Sequence, residues 1–191
     1  MPNEDEMSAS VDAAEVVLRL VNTHDHGGRL TERLGDSTAL REWLAGEPSA
    51  AGDDGVVTPA DVVEVREIRD ALATLLLAHV DASCTEDELA VAEQALRRAS
   101  SRYPLQADIS RDGAGLTPTR PGLAGLIGSV LAATVELSQS GMWHRMKACR
   151  NCYHAFLDQS RNRSAGYCGP RCSSQAGMRA YRSRQQRKTE S

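Results

Sequence analysis

Cys149-Arg-Asn-Cys152-Tyr-His-Ala-Phe156-Leu-Asp158-Gln-Ser-Arg161-Asn-Arg163-Ser-Ala-Gly-Tyr167-Cys168-Gly-Pro-Arg171-Cys172 is the stretch that decides how this chain folds. It holds a C-x2-C pair and a C-x3-C pair, with fifteen residues between them. Zinc takes four soft ligands in a tetrahedron, and each short-spaced thiolate pair can supply one edge of it. The expectation is one structural Zn2+ held by Cys149, Cys152, Cys168 and Cys172. Disulfides or redox-switch thiols are the alternative, but they need an oxidising compartment. The opening Met-Pro-Asn-Glu-Asp-Glu-Met is acidic and lacks the positive charge and apolar run of a secretory signal. A catalytic zinc would need an open coordination position, which four thiolates do not leave. His144 and His154 are spare donors nearby, read as surface or packing residues. Cys84 stands alone and reads as a buried small hydrophobe.

The flanking residues extend this core into a module over 141–191. Five of the seven aromatics of the chain lie there (Trp143, Tyr153, Phe156, Tyr167, Tyr181). About fifty residues make little core by themselves, so a metal and a few large rings are a sensible way to fold them. Phe156–Asp158 and Gly166–Cys168 are expected to form two hairpin arms, with Arg161-Asn-Arg163-Ser at the tip. A helix is expected from about Arg171 or Cys172, placing the last ligand in its first turn.

Charge is strongly divided. Residues 141–191 carry eleven Lys and Arg against Asp158 and Glu190, a net of +9, whereas residues 1–140 carry −13. The total of −4 conceals this. Only Lys147 and Lys188 are lysines, so the positive charge is nearly all guanidinium. Arginine at this density suits phosphate contacts and bidentate reading of guanine edges. Candidate contacts are Arg161 and Arg163 at the tip and Arg171, Arg179, Arg182, Arg184, Arg187 and Lys188 on the helix. The competing reading is a solvated helix, or one docked on the acidic half of the same chain.

Residues 1–140 read as a helical domain. Apolar residues recur at helical spacing over 11–22, near Ser37–Ala45, from Thr58-Pro59 through His79, from Thr85 to about Ser101, and after Pro121. Leu105, Ala107 and Ile109 alternate with polar residues before Asp112-Gly113, which predicts one small β-hairpin. The fold class is therefore mainly α with one small hairpin, a helical domain over 1–140 followed by a small treble-clef-like zinc finger over 141–191. This half shows no nucleophile–base pattern or phosphate loop. His24-Asp25-His26 reads as a solvated loop. No apolar run approaches the ~18–20 residues that span a bilayer, so no membrane partner is expected and the cytoplasm is the default location.

The residues quoted at the outset, with Cys172 followed by a basic helix, resemble the CGNR-type zinc finger. In that family the finger ends a chain whose helical N-terminal part is the ABATE domain, and Leu20-Val21-Asn22-Thr23 and Asp36 through Trp43-Leu44 are similar to segments of it. The resemblance covers nearly the whole chain and implies a stress-induced transcription regulator of the bacterial cytoplasm, nucleoid-associated when bound. One departure stands out: Cys172-Ser173-Ser174-Gln175 replaces the name-giving Cys-Gly-Asn-Arg. The contact made by that arginine must be lost, or supplied by Arg171 or Arg179. Together these features point to a non-enzymatic, zinc-dependent regulator binding double-stranded DNA, its helical half a homodimer interface or a sensor of a small-molecule or protein effector. The alternatives are a protein-interaction module whose basic finger binds an acidic partner, and a small-molecule-binding body.

Overall fold

The computed structural model describes residues 4–24, 32–52, 55–80, 84–111 and 113–189. Its helices are α1 (Glu4–Val21), α2 (Ser37–Leu44), α3 (Pro59–Ala78), α4 (Glu86–Arg102), α5 (Gly122–Gln139) and α6 (Pro170–Thr189). Two antiparallel hairpins join them, β1 (Leu105–Ser110) with β2 (Gly113–Pro118), and β3 (Met146–Ala148) with β4 (Ala155–Leu157). The mainly helical class holds. Asp25 and His26 of the His24-Asp25-His26 triplet lie outside the described residues, and His24 is exposed.

The helix starts follow from their caps. Asp36 Oδ1 accepts the amides of Thr38 and Ala39 at 2.8 and 2.9 Å, opening α2. Thr58 and Asp61 form a reciprocal capping box at α3, and Thr85 and Glu88 another at α4. Such caps satisfy first-turn amides that would otherwise lack partners, each contributing ~1 kcal/mol. Helix α1 begins seven residues before the apolar repeat at 11–22, because no Gly or Pro interrupts Glu4–Ser10 and acids suit a helix N-terminus.

The core lies among α1, α3 and α5, where Val17, Leu20, Val65, Leu72, Leu76, Ile127, Val130 and Leu137 are all buried. Met146, Ala148 and Ala155 from β3 and β4 belong to the same cluster, so the first hairpin of the C-terminal module sits in the core of the helical half. Helix α4 packs on α3 through alanines, Ala92 and Ala95 against Ala71, which lets the two backbones approach closely. Helix α5 is long and apolar enough to cross a membrane by length and composition alone, contrary to the sequence expectation; half of it is buried inside the protein, as in a core helix.

The first hairpin forms as expected, with Leu105 opposite Pro118 and Ser110 opposite Gly113, so Gly113 opens the second strand rather than lying in the turn. Its alternation does not mark a buried face. Ile109 is 77% exposed, and the hairpin meets the body mainly at its base, where a Cβ on Gly128 would come within 2.9 Å of Pro118 Cβ. Gly125 is more constrained: a Cβ there would lie 2.8 Å from the Arg120 carbonyl oxygen and 2.9 Å from that of Ser49. Both are backbone atoms. Gly125→Ala is therefore expected to lower the thermal midpoint, an overpacking cost of ~1–3 kcal/mol outweighing the ~1 kcal/mol gained in helix propensity. Gly115→Ala, at an open position, leaves the midpoint unchanged in the same calorimetric scan.

Candidate metal centre and nucleic-acid interface

The turn of the β3–β4 hairpin carries the first cysteine pair. Tyr153 donates its amide to the Cys149 carbonyl at 2.8 Å, and Cys149 donates to the His154 carbonyl at 2.9 Å. Tyr153 takes a left-handed φ of 60°, which tightens the turn. The Asn151 amide lies 3.5 Å from Cys149 Sγ, an N–H aimed at sulfur. The second pair closes on it from the start of α6, where the amides of Cys172 and Ser173 both bond the Gly169 carbonyl. The sulfurs of Cys152, Cys168 and Cys172 form a triangle of 3.6 Å sides, and all four lie within 4.8 Å of one another.

That spacing fits zinc. Four Zn–S bonds of ~2.3 Å at tetrahedral angles put sulfurs ~3.8 Å apart. A disulfide would need ~2.05 Å, and all five cysteines are free. Cys149, Cys152, Cys168 and Cys172 thus form a site for one structural zinc, supplied by a knuckle hairpin and a helix first turn in treble-clef fashion. Burial pushes the Cys149 thiol up, but the backbone amides of Cys168, Asn151 and Cys152 outweigh it and leave it at about 7. His144 and His154 stay outside the cluster, both exposed. Cys84 is half-buried rather than buried, its thiol 3.8 Å from the Thr74 carbonyl.

Between the cysteine pairs the expected arms do not pair. Phe156 and Leu157 bond to β3, and Gly166 instead accepts the Arg150 amide at 3.1 Å. Residues 158–165 are folded around one carboxylate. Asp158, 1% exposed, accepts from Lys147 Nζ at 2.7 Å, the Ser160 amide at 2.8 Å and the Ala165 amide at 3.0 Å. Lys147 also donates to the Arg163 carbonyl at 2.6 Å, and Arg145 to the carbonyls of Asp158 and Ser160. Burial would raise the Asp158 carboxyl; Lys147 and the two loop residues pull it down to about 2. Three of the eleven cations are therefore structural: Arg145, Lys147, and Arg150, which donates to the Val80 carbonyl.

Residues 14–141 match the model of the family ABATE, described as "Putative stress-induced transcription regulator", and residues 139–185 match that of the CGNR zinc finger. The chain belongs to the ABATE family, and its C-terminal module is a CGNR zinc finger. No curated protein matches it.

In this ABATE protein the Asn22 carboxamide joins the two matched regions. It donates to the Ala155 carbonyl at 3.0 Å and accepts the Ala155 amide at 2.8 Å, pairing both backbone groups of a strand edge. His79 Nδ1 bonds the Met146 carbonyl at 2.7 Å on the other side. At the departure from the family pattern, Gln175 Oε1 accepts from Asn151 Nδ2 at 3.0 Å, so residue 175 binds the first knuckle.

The candidate nucleic-acid contacts divide by position. Arg161 and Arg163 are exposed on the Asp158 loop, Arg163 with a left-handed φ of 52°. Arg171, Arg179, Arg182 and Arg184 are exposed on α6; Arg187 and Lys188 lie in its last turns, their side chains outside the described residues. Among the described residues, no carboxylate pairs with Arg161, Arg163, Arg171, Arg179, Arg182 or Arg184. Lys147, Asp158, Asn22 and Asn151 were absent from the expected site residues. Two signals were available: Lys147 is a lysine in a segment of arginines, and Asp158 is the sole acid from 141 to 189.

Chelation or Cys168→Ala is expected to strip hydrogen-exchange protection from 166–189 while Met146–Leu157 stays protected by the core. Unchanged protection over 166–189 would exclude a structural metal. Asp158→Asn leaves the buried Lys147 ammonium without its charge partner, a loss of ~3–5 kcal/mol in urea unfolding at pH 7. Adding Lys147→Met is expected to restore part of it. Because the folded carboxyl lies below its unfolded value, the stabilisation is present above about pH 4 and fades as pH falls toward 2.

Proposed function

We propose that this ABATE protein is a zinc-dependent, DNA-binding transcription regulator of the cytoplasm. Its finger grips duplex DNA, and its helical half dimerises or receives a signal. The observation that carries this reading is the set of guanidiniums on α6 and the Asp158 loop that meet no carboxylate among the described residues. Arg171, Arg179 and Arg182, with Gln175 and Gln186, recur at intervals of three and four and so share one face of α6. The helix has no acid from Pro170 to Thr189. A finger docked on its own acidic body would spend these arginines on body carboxylates, and they have no such partner among the described residues.

One finger offers few base contacts, so useful specificity calls for two copies on two half-sites. The family description supports regulation, and the charge supports nucleic acid over a neutral partner. Fluorescence anisotropy of the zinc-loaded protein on mixed-sequence duplex DNA tests the reading. Affinity is expected to fall with salt at a log–log slope of about −4 or steeper, which corresponds to roughly four or more phosphates. Chelation, or Arg179→Glu with Arg182→Glu, abolishes it. No binding at low salt, with those two variants losing an acidic protein partner in pull-down, would replace this reading with a protein-interaction module.

A further inference from the structure

The helical half holds a cleft of about 830 Å³ between the end of α2, the Pro48–Ala50 turn, the end of α4 and the start of α5. Small-molecule sites run to roughly 300–1,000 Å³ and combine apolar walls with a few convergent polar groups. Leu44, Val57 and Leu123 supply wall here, and three arginines line it, Arg41, Arg102 and Arg120. Arg102 and Arg120 each lie 5.8 Å from the Tyr103 ring centroid, so one aromatic ring holds two cations in place.

The balance of partners gives the cleft its sign. Glu47 and Asp61, the acids of the described lining, are both engaged: Glu47 pairs with Arg19 at 3.0 Å, and Asp61 caps α3 through Thr58. Arg102 pairs with Glu64 at 3.3 Å. Arg120 bonds only a carbonyl, that of Arg102 at 2.9 Å, and Arg41 is exposed. Among the described residues neither Arg41 nor Arg120 meets a carboxylate. Among the described residues the cleft therefore presents guanidinium that no carboxylate compensates, beside an apolar wall, within a chain half that is otherwise strongly acidic. Helix α5 also begins in it, with no side-chain cap and no acid in its first turn.

We propose that this cleft binds a small amphipathic organic anion, its carboxylate or sulfonate on Arg41 and Arg120 and its apolar part against Leu44, Val57 and Leu123. That binding there acts as a signal rests on the regulator reading above; the binding itself does not. The probe is anilinonaphthalene sulfonate, whose fluorescence rises in an apolar site, titrated into the full-length zinc-loaded protein without DNA. Saturable one-to-one binding is expected, weakened at least fivefold by Arg41→Glu and by Arg120→Glu, unchanged by Arg179→Glu, and displaced by naphthoate but not by naphthamide. Circular dichroism melts of each variant identify any that lose the fold; Arg41 is an exposed surface position, so its variant keeps the test valid. Non-saturable binding, binding indifferent to Arg41→Glu, or loss in Arg179→Glu would overturn the proposal. DNA anisotropy is a separate experiment, so either reading can fail alone.

Discussion

Everything beyond residue 141 depends on a strand edge being satisfied by a helix end. A two-stranded ribbon of three residues per strand is not stable alone in water, and its outer edge leaves backbone groups that must find partners once buried. Asn22, at the end of α1, offers a carboxamide with the same donor and acceptor as a peptide and meets both groups of Ala155. With that edge closed, Met146, Ala148 and Ala155 can be buried among the side chains of α1 and α3. The first cysteine pair then sits on a platform that is already rigid. Cys149 is wholly buried as a result, although it is a metal ligand on a turn.

The second half of the finger has no such support. Cys168 is exposed, α6 is exposed along nearly all its length, and its described side chains bury almost nothing. The cysteine cluster that would hold the metal and the bond from Asn151 to Gln175 tie the helix to the platform. This asymmetry sorts the cations. Those before Asp158 fold the protein, since Arg145, Lys147 and Arg150 all spend their donors on carbonyls or on Asp158. Among the described residues, those after it (Arg161, Arg163, Arg171, Arg179, Arg182 and Arg184) are exposed and meet no carboxylate. A net charge of +9 counted over the whole segment merges the two groups.

How much of this was legible in the sequence follows from the range of each interaction. The four ligands could be read from spacing because pairs two and three residues apart leave little freedom in where the sulfurs go. The capping boxes of Thr58 with Asp61 and Thr85 with Glu88 act over the same short range, three residues. The Asn22–Ala155 clamp spans 133 positions, and Lys147–Asp158 depends on a hairpin register that the expected pairing of Phe156–Asp158 with Gly166–Cys168 had wrong. Alternation misled differently at Ile109. It set the strand period correctly, but burial needs an opposing surface, and nothing lies over that face of the hairpin among the described residues.

The change at Cys172-Ser-Ser-Gln175 fits this division between platform and helix. An arginine at 175 would add a guanidinium to the face that carries Arg171, Arg179 and Arg182. Glutamine instead uses its carbonyl oxygen to receive Asn151, a neutral contact one turn after the last ligand. Asn151 lies between Cys149 and Cys152, so this bond fixes the helix to the very turn that holds the first sulfur pair. Because α6 has no core of its own, its direction is set by the ligand tetrahedron and by this bond together. Both therefore bear on where the arginine face points, and four thiolates leave a zinc held there no open position for chemistry.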